Sequence, residues 1–231
     1  MIVVEQKPLE DILGMVKDSD KMLILGCDGC SGIYQVGGEK QAEMLSSMLR
    51  MEKRTKGGKK EDDLKIEAST ILRQCDKEIV REALEGSIGS YDAVLSMACG
   101  AGVQTVAEVF PEKLVLPTVN TKFIGMQDRE MGDLHERCSA CGDCILDETG
   151  GVCPITRCAK SLLNGPCGGQ VGGKCEVGGY ENDCAWILIY KKLKEFEKLD
   201  QFLELRLMRD NRISQSPRDL KGGVKYSGGG D

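Results

Sequence analysis

The first half of the chain alternates two kinds of apolar spacing. Met22 to Gly26 is a short unbroken apolar run closed by glycine, and Glu39 to Arg50 then carries Ala42, Leu45, Met48 and Leu49 at helical intervals. That pattern predicts strand, loop, helix. Lys53 to Asp63 is charged and contains glycine, as a turn does, and Leu64 to Leu72 is strand-like. Asp76 stands where a helix cap belongs, ahead of an apolar stripe of Ile79, Val80, Ala83 and Leu84. Ala93 to Ala98 gives a third strand. Val103, Val106, Ala107 and Phe110 then follow at helical spacing until Pro111 stops the helix, and Leu114 to Val119 supplies a fourth strand. Four strands alternating with three helices imply a doubly wound, Rossmann-like α/β domain over residues 1–125, its mainly parallel sheet covered on both faces.

The pattern fails near Lys122. From Cys138 to Cys184 there are 47 residues, eight of them cysteine and ten glycine, with almost no apolar periodicity. Such a stretch cannot fold on hydrophobic burial alone, so residues 126–190 are expected to form a metal-cluster domain organised by its ligands. Beyond it, Trp186, Ile189, Tyr190, Leu193 and Phe196 make an amphipathic stripe that Phe202 to Met208 prolongs, predicting a C-terminal helix over 183–209. Residues 210–231 are rich in Gly, Ser and Lys and are expected as a flexible tail.

Composition narrows the chemistry. The 231 residues carry a net charge of −6, twelve cysteines and a single histidine. No apolar run approaches the ~18 residues of a membrane helix, and Met1 to Asp20 lacks a basic start with an apolar middle, so a soluble cytoplasmic protein is expected. In a reducing compartment, cysteines at this density point to metal ligands or redox centres rather than disulfides. No basic stretch is present to neutralise phosphates, which argues against a nucleic-acid partner.

The cysteines form two sets. Cys27 and Cys30 follow the first predicted strand as C-x2-C, Cys75 follows the second and Cys99 the third. All four therefore fall beyond the carboxyl edge of the predicted sheet, where doubly wound folds place ligands. Four thiolates suit either zinc or an iron–sulfur cluster, and two buried thiols beside a surface C-x2-C would also fit the pattern. The second set is Cys138, Cys141, Cys144, Cys153, Cys158, Cys167, Cys175 and Cys184. It opens as C-x2-C-x2-C and includes Cys153-Pro154, as bacterial ferredoxin motifs do, but eight residues separate Cys144 from Cys153. Three thiolates on one tight loop suit the irons of a cube better than zinc, whose ligands come as separated pairs. Eight cysteines allow two four-thiolate sites, or one such site with structural thiols. The spacing does not say which cysteines share a site.

Other chemistries are thin. His135 precedes Cys138 by three residues and could ligate metal, although it stands in a polar segment that suits a solvated side chain. No nucleophile motif surrounds it. Gly26-x2-Gly29-x2-Gly32 is not the dinucleotide fingerprint, and the lysines at 191, 192 and 194 suit the wet face of a helix.

The stretch GGVCPITRCAKSLLNGPCGG, from Gly150 to Gly169, resembles the C-terminal domain family of methylenetetrahydrofolate reductases. Cys175-Glu176-Val177, Cys184-Ala185-Trp186 with Ile189-Tyr190, Leu25-Gly26-Cys27, Arg73-Gln74-Cys75 and Met97-Ala98-Cys99-Gly100 resemble it as well. One departure is Ser31 to Val36, where a more apolar helix start with a further cysteine would be expected, so the first site's ligand set stays open. The resemblance implies an iron–sulfur or zinc accessory subunit of the acetogen-type reductase, itself non-catalytic. Its two or three [4Fe-4S] clusters would pass electrons to the flavin of a catalytic partner reducing methylene- to methyl-tetrahydrofolate in the Wood–Ljungdahl pathway. Zinc at one site, a purely structural zinc subunit, and an autonomous folate or flavin enzyme remain as alternatives. Docking of the partner is expected through the fourth strand and the C-terminal helix past Lys194, with its apolar Phe202, Leu203, Leu205, Leu207 and Met208, and further electron-donor subunits would also fit.

Overall fold

The computed structural model describes residues 1–56 and 58–220. It divides into two compact units, Met1–His135 and Glu136–Asp231.

In the first unit the expected strands form one parallel sheet. β2 (Lys21–Cys27), β3 (Lys65–Ile71), β4 (Ala93–Ser96) and β5 (Leu114–Pro117) lie in the order β3-β2-β4-β5. Residues of both parities along β2 are buried, which is why it reads as an unbroken apolar run. Met22 and Ile24 pack with Ile12 and Val16 of the α1 segment (helix Leu9–Met15) and with Ala42, Leu45 and Leu49 of α3 (Glu39–Thr55). Leu23 and Leu25 face the opposite layer, with Val80 and Leu84 of α4 (Lys77–Leu84) and Val106 of α5 (Gly100–Val109). Asp76 caps α4 as predicted, its carboxylate accepting from the Ile79 N–H at 3.4 Å. The strand order reverses between β2 and β4, so the carboxyl ends of those neighbours open the crevice in which doubly wound folds bind ligands. The short helix α2 (Cys30–Ile33) sits at that edge.

A second, antiparallel sheet was not anticipated from the sequence. β1 (Ile2–Gln6) pairs with β6 (Val119–Asp128), matching Ile2 with Ile124 and Gln6 with Val119, and β7 (Asp133–Cys138) completes the order β1-β6-β7. The chain therefore does not leave the first unit near Lys122 but continues through a hairpin. Asp128 closes the turn by accepting from the Glu130 and Met131 N–H groups, and Gly132 adopts φ 78°. β6 is mostly half-buried or exposed, so its sequence lacks the regular alternation of a core strand.

The second unit has a small apolar core: Val152, Ala185, Trp186, Ile189 and Leu193, with Cys158 and Cys184 packed against it. Its helices are α6 (Pro154–Arg157), α7 (Ala185–Glu195) and α8 (Leu199–Leu203). The predicted single helix over 183–209 is thus interrupted. The Lys198 N–H donates to the Leu193 carbonyl at 2.8 Å and the Glu197 N–H to Lys194 at 3.2 Å, with Glu197 at φ 57°. This is a Schellman cap with glutamate in the place usually held by glycine. Phe202 folds back edge-on to Trp186 and Tyr190, and from Glu204 the chain runs extended. Residues 210–220, expected as part of the tail, include a 3-10 turn at Asn211–Ser214, and the rest of that tail, 221–231, lies outside the described residues. Among the described residues, no helix is long and apolar enough to cross a membrane.

Candidate metal centres

The sheet-edge cysteines stand where the pattern put them. Cys27 ends β2, Cys30 begins α2, Cys75 lies between β3 and α4, and Cys99 is the N-cap of α5. Cys27 is buried, Cys30 and Cys99 are half-buried, and Cys75 is exposed. Burial pushes the Cys27 thiol above its ordinary value, backbone hydrogen bonds at Gln74 and Gly29 pull it back, and the charges of Cys75 and Cys99 add to the rise. Cys27 therefore lies within electrostatic reach of both Cys75 and Cys99. Cys30 instead faces Tyr34, whose hydroxyl is raised by burial and then by Cys30, and which is buried without a hydrogen-bond partner.

Two side chains that carried no signal in the sequence hold this edge together. Gln74 is fully buried; its amide donates to the Leu25 and Gly26 carbonyls at 2.8 and 3.0 Å, and its oxygen accepts from Ser96 Oγ at 2.6 Å. It thereby ties the loop after β3 to β2 and β4. Ser31 Oγ donates to the Met97 carbonyl at 2.6 Å, joining α2 to the segment after β4. That bond is what the departure at Ser31 to Val36 accommodates. The packing leaves no spare room, since a Cβ at Gly37 would come within 2.2 Å of the Met97 carbonyl and of Ser31 Oγ. A Gln between Arg73 and Cys75 looks like a surface residue, and only the resemblance singled it out.

The second set begins where β7 ends on Cys138. In the loop Cys138-Ser139-Ala140-Cys141-Gly142-Asp143-Cys144, Ala140 adopts φ 52° and turns its N–H toward Cys138 Sγ at 3.3 Å. The sulfur thus has a backbone donor two residues on, as Cys27 has at Gly29, and such donors stabilise a thiolate ligand. Burial pushes the Cys141 thiol up, but a backbone hydrogen bond at Asp143, the Arg209 guanidinium and the Ser139 hydroxyl outweigh it, leaving the thiol below its ordinary value. Cys153 and Cys184 are the N-caps of α6 and α7. Cys158 and Cys184 pack on the same apolar cluster. The Cys175 N–H donates to the Asn182 carbonyl and the Cys184 N–H to the Gly173 carbonyl, both at 2.8 Å, beside an isolated antiparallel bridge between Lys174 and Asp183. Cys167 contacts the Glu176 carboxylate at 3.7 Å, beside the Lys160–Glu176 ion pair. Nine glycines between Gly142 and Gly179 adopt positive φ, which lets this backbone turn repeatedly between its cysteines.

All twelve cysteines are free thiols. Among the described residues, no three or more His, Cys, Asp or Glu side chains come close enough together to hold a metal ion. His135 lies on β7 and is not gathered with the cysteines.

Residues 116–212 match the family described as "Methylene-tetrahydrofolate reductase C terminal". No curated protein and no solved structure matches the chain. The matched segment runs from β5 through all eight late cysteines to Arg212, and leaves Cys27, Cys30, Cys75 and Cys99 outside it. Over residues 116–212 the chain is thus similar to the C-terminal domain family of methylene-tetrahydrofolate reductases.

Proposed function

We propose that this chain is an accessory subunit of a methylenetetrahydrofolate reductase that carries iron–sulfur clusters and relays electrons to the flavin of the catalytic subunit. The observation that carries the reading is the set of eight free thiols inside the family-matched segment, on a glycine-rich fold with only a small apolar core. Soft thiolate donors select iron–sulfur clusters or zinc over hard cations. Cys138, Cys141 and Cys144 would supply three ligands of one cluster, and the remaining five offer the fourth and a second set. When bound, the clusters supply one-electron steps, and two electrons with two protons convert the methylene to the methyl folate in the partner. This chain's own residues do three things: they present the thiolates, aim the Ala140 N–H at Cys138, and fold protein around the loop.

A second reading is favoured at one place only. The sheet-edge thiols stand outside the matched segment on a rim fixed by Gln74 and Ser31, and four thiolates drawn together on so rigid a frame would suit structural zinc. Leu203, Leu205, Leu207 and Met208 are 78–99% exposed and support docking of the catalytic subunit there. Phe202 does not belong to that surface, because it packs on Trp186 and Tyr190. Changing Leu205 and Leu207 to Glu is expected to lower recovery of the reductase with the chain, and unchanged recovery would exclude this surface.

Iron, zinc and acid-labile sulfide analysis of the anaerobically purified chain tests the main reading. Iron and sulfide in equal amounts are expected, and a colourless protein holding zinc alone would overturn the relay.

A further inference from the structure

The segment after α8 lies back along the loop that begins the second cysteine set. The Asn164 side chain pins it, donating to the Arg206 carbonyl at 3.0 Å and accepting from the Arg206 N–H at 2.8 Å, as a neighbouring strand would. The Arg206 guanidinium then reaches Asp143 at 2.8 Å and pairs with Glu148. Arg209 donates to the Cys141 carbonyl at 2.9 Å, and Arg218 donates to the Ala140 carbonyl. Between them, Ile213 covers Gly142, with its carbonyl oxygen 3.4 Å from where a Cβ would stand. Three guanidinium groups and one isoleucine thus engage consecutive residues Ala140 to Asp143, which link Cys138, Cys141 and Cys144. Among the described residues, the guanidinium of Arg212, in the same segment, bonds its neighbour Asp210 alone.

The loop has reason to need this support. It has no strand or helix of its own beyond Cys138, and it carries positive φ at both Ala140 and Gly142. A free loop of this kind would sample many conformations, and ordering it is the main cost of assembling a three-thiolate site. Guanidinium groups that bond its carbonyls and its Asp143 carboxylate fix the backbone, and Arg209 also places positive charge beside the Cys141 sulfur, which becomes anionic on binding metal.

We propose that residues 204–218 form a strap in which Arg206 and Arg209 are positioning residues for metal binding by the Cys138–Cys144 loop. The inference rests on the reading of that loop as a metal site, and it holds whether the metal is iron–sulfur or zinc. Outer residues that orient ligands change metal affinity by about 10- to 100-fold when removed, and the strap falls in that class.

The test compares the anaerobically purified full chain with its R206Q, R209Q, R206Q/R209Q and R212Q variants. Metal and sulfide content, the rate of metal release to a chelator, and the midpoint potential of any cluster are measured. Trp186 fluorescence checks that the second unit is still folded, because the only tryptophan sits in its core. The double variant is expected to release about half of the metal bound by the late cysteines roughly 10- to 100-fold faster, with R212Q unchanged. A cluster retained in R209Q should shift to a more negative potential, since loss of positive charge disfavours the reduced state. Unchanged release and potential in the double variant would overturn the strap while leaving the cluster reading intact. Zinc in place of iron, with release still accelerated, would overturn the cluster reading and support the strap. A metal-free parent chain would overturn both.

Discussion

The loops Cys27–Cys30 and Cys138–Cys141 share one local device, a backbone hydrogen bond to the first sulfur from the residue two positions on, and are supported in different ways. Around Cys27 the support is a sheet whose central strands, β2 and β4, are buried on both faces, with Gln74 and Ser31 tying loops to their carboxyl ends. Around Cys138 it is a run of arginines and one isoleucine from a segment more than 60 residues downstream in the sequence. The first unit has a fold that stands without metal. The second has a buried cluster of five residues and a backbone that turns repeatedly through positive φ, and on the proposed reading metal would be its organiser. The same two-residue spacing can therefore decorate a finished fold or help to create one.

Removing metal should separate the two regions most sharply. Chelation under reducing conditions is expected to unfold the second unit, a loss on the order of 10 kcal/mol for a structural metal site. Trp186 fluorescence would report that loss, while the circular dichroism of the α/β unit persists. Retention of the Trp186 signal after complete metal removal would erase the contrast. In the other direction, Leu25→Ala should destabilise the first unit by about 2–5 kcal/mol, because Leu25 is fully buried at the centre of the sheet, with metal at the late cysteines unchanged. Gln74→Ala should cost about 1–3 kcal/mol by removing the amide that donates to the Leu25 and Gly26 carbonyls and the oxygen that accepts from the buried Ser96 hydroxyl. Any metal at the sheet edge should weaken with it, and a denaturant midpoint unmoved by this substitution would show that the clamp is not needed. The smallest effect is at the α7 cap: Glu197→Gly should stabilise the second unit by roughly 0.5 kcal/mol, the left-handed strain relieved less the entropy glycine adds to the unfolded chain.

What could be foreseen followed the strength of the periodic signal. β2 to β5 and helices α3, α4 and α5 stood out because their apolar residues repeat against a two-layered core. β1 and β6 did not, because a half-buried sheet leaves no regular alternation, and so the first unit extends beyond residue 125. The break after α7 was hidden because Glu197, not glycine, takes the left-handed position. Both cysteine sets were visible from spacing, whereas their supports were not. Gln74 resembles any loop glutamine until its burial is known, and Arg206 and Arg209 look like solvated charges until the chain folds back. Contacts between residues so far apart leave no mark in a single sequence.

Paramagnetic resonance of the dithionite-reduced full chain, compared with a Cys138→Ser/Cys141→Ser variant, tests the central claim most directly. The account predicts a reduced-cluster signal in the parent chain and the loss of one component of it in the variant. A silent parent chain that carries zinc alone would contradict it.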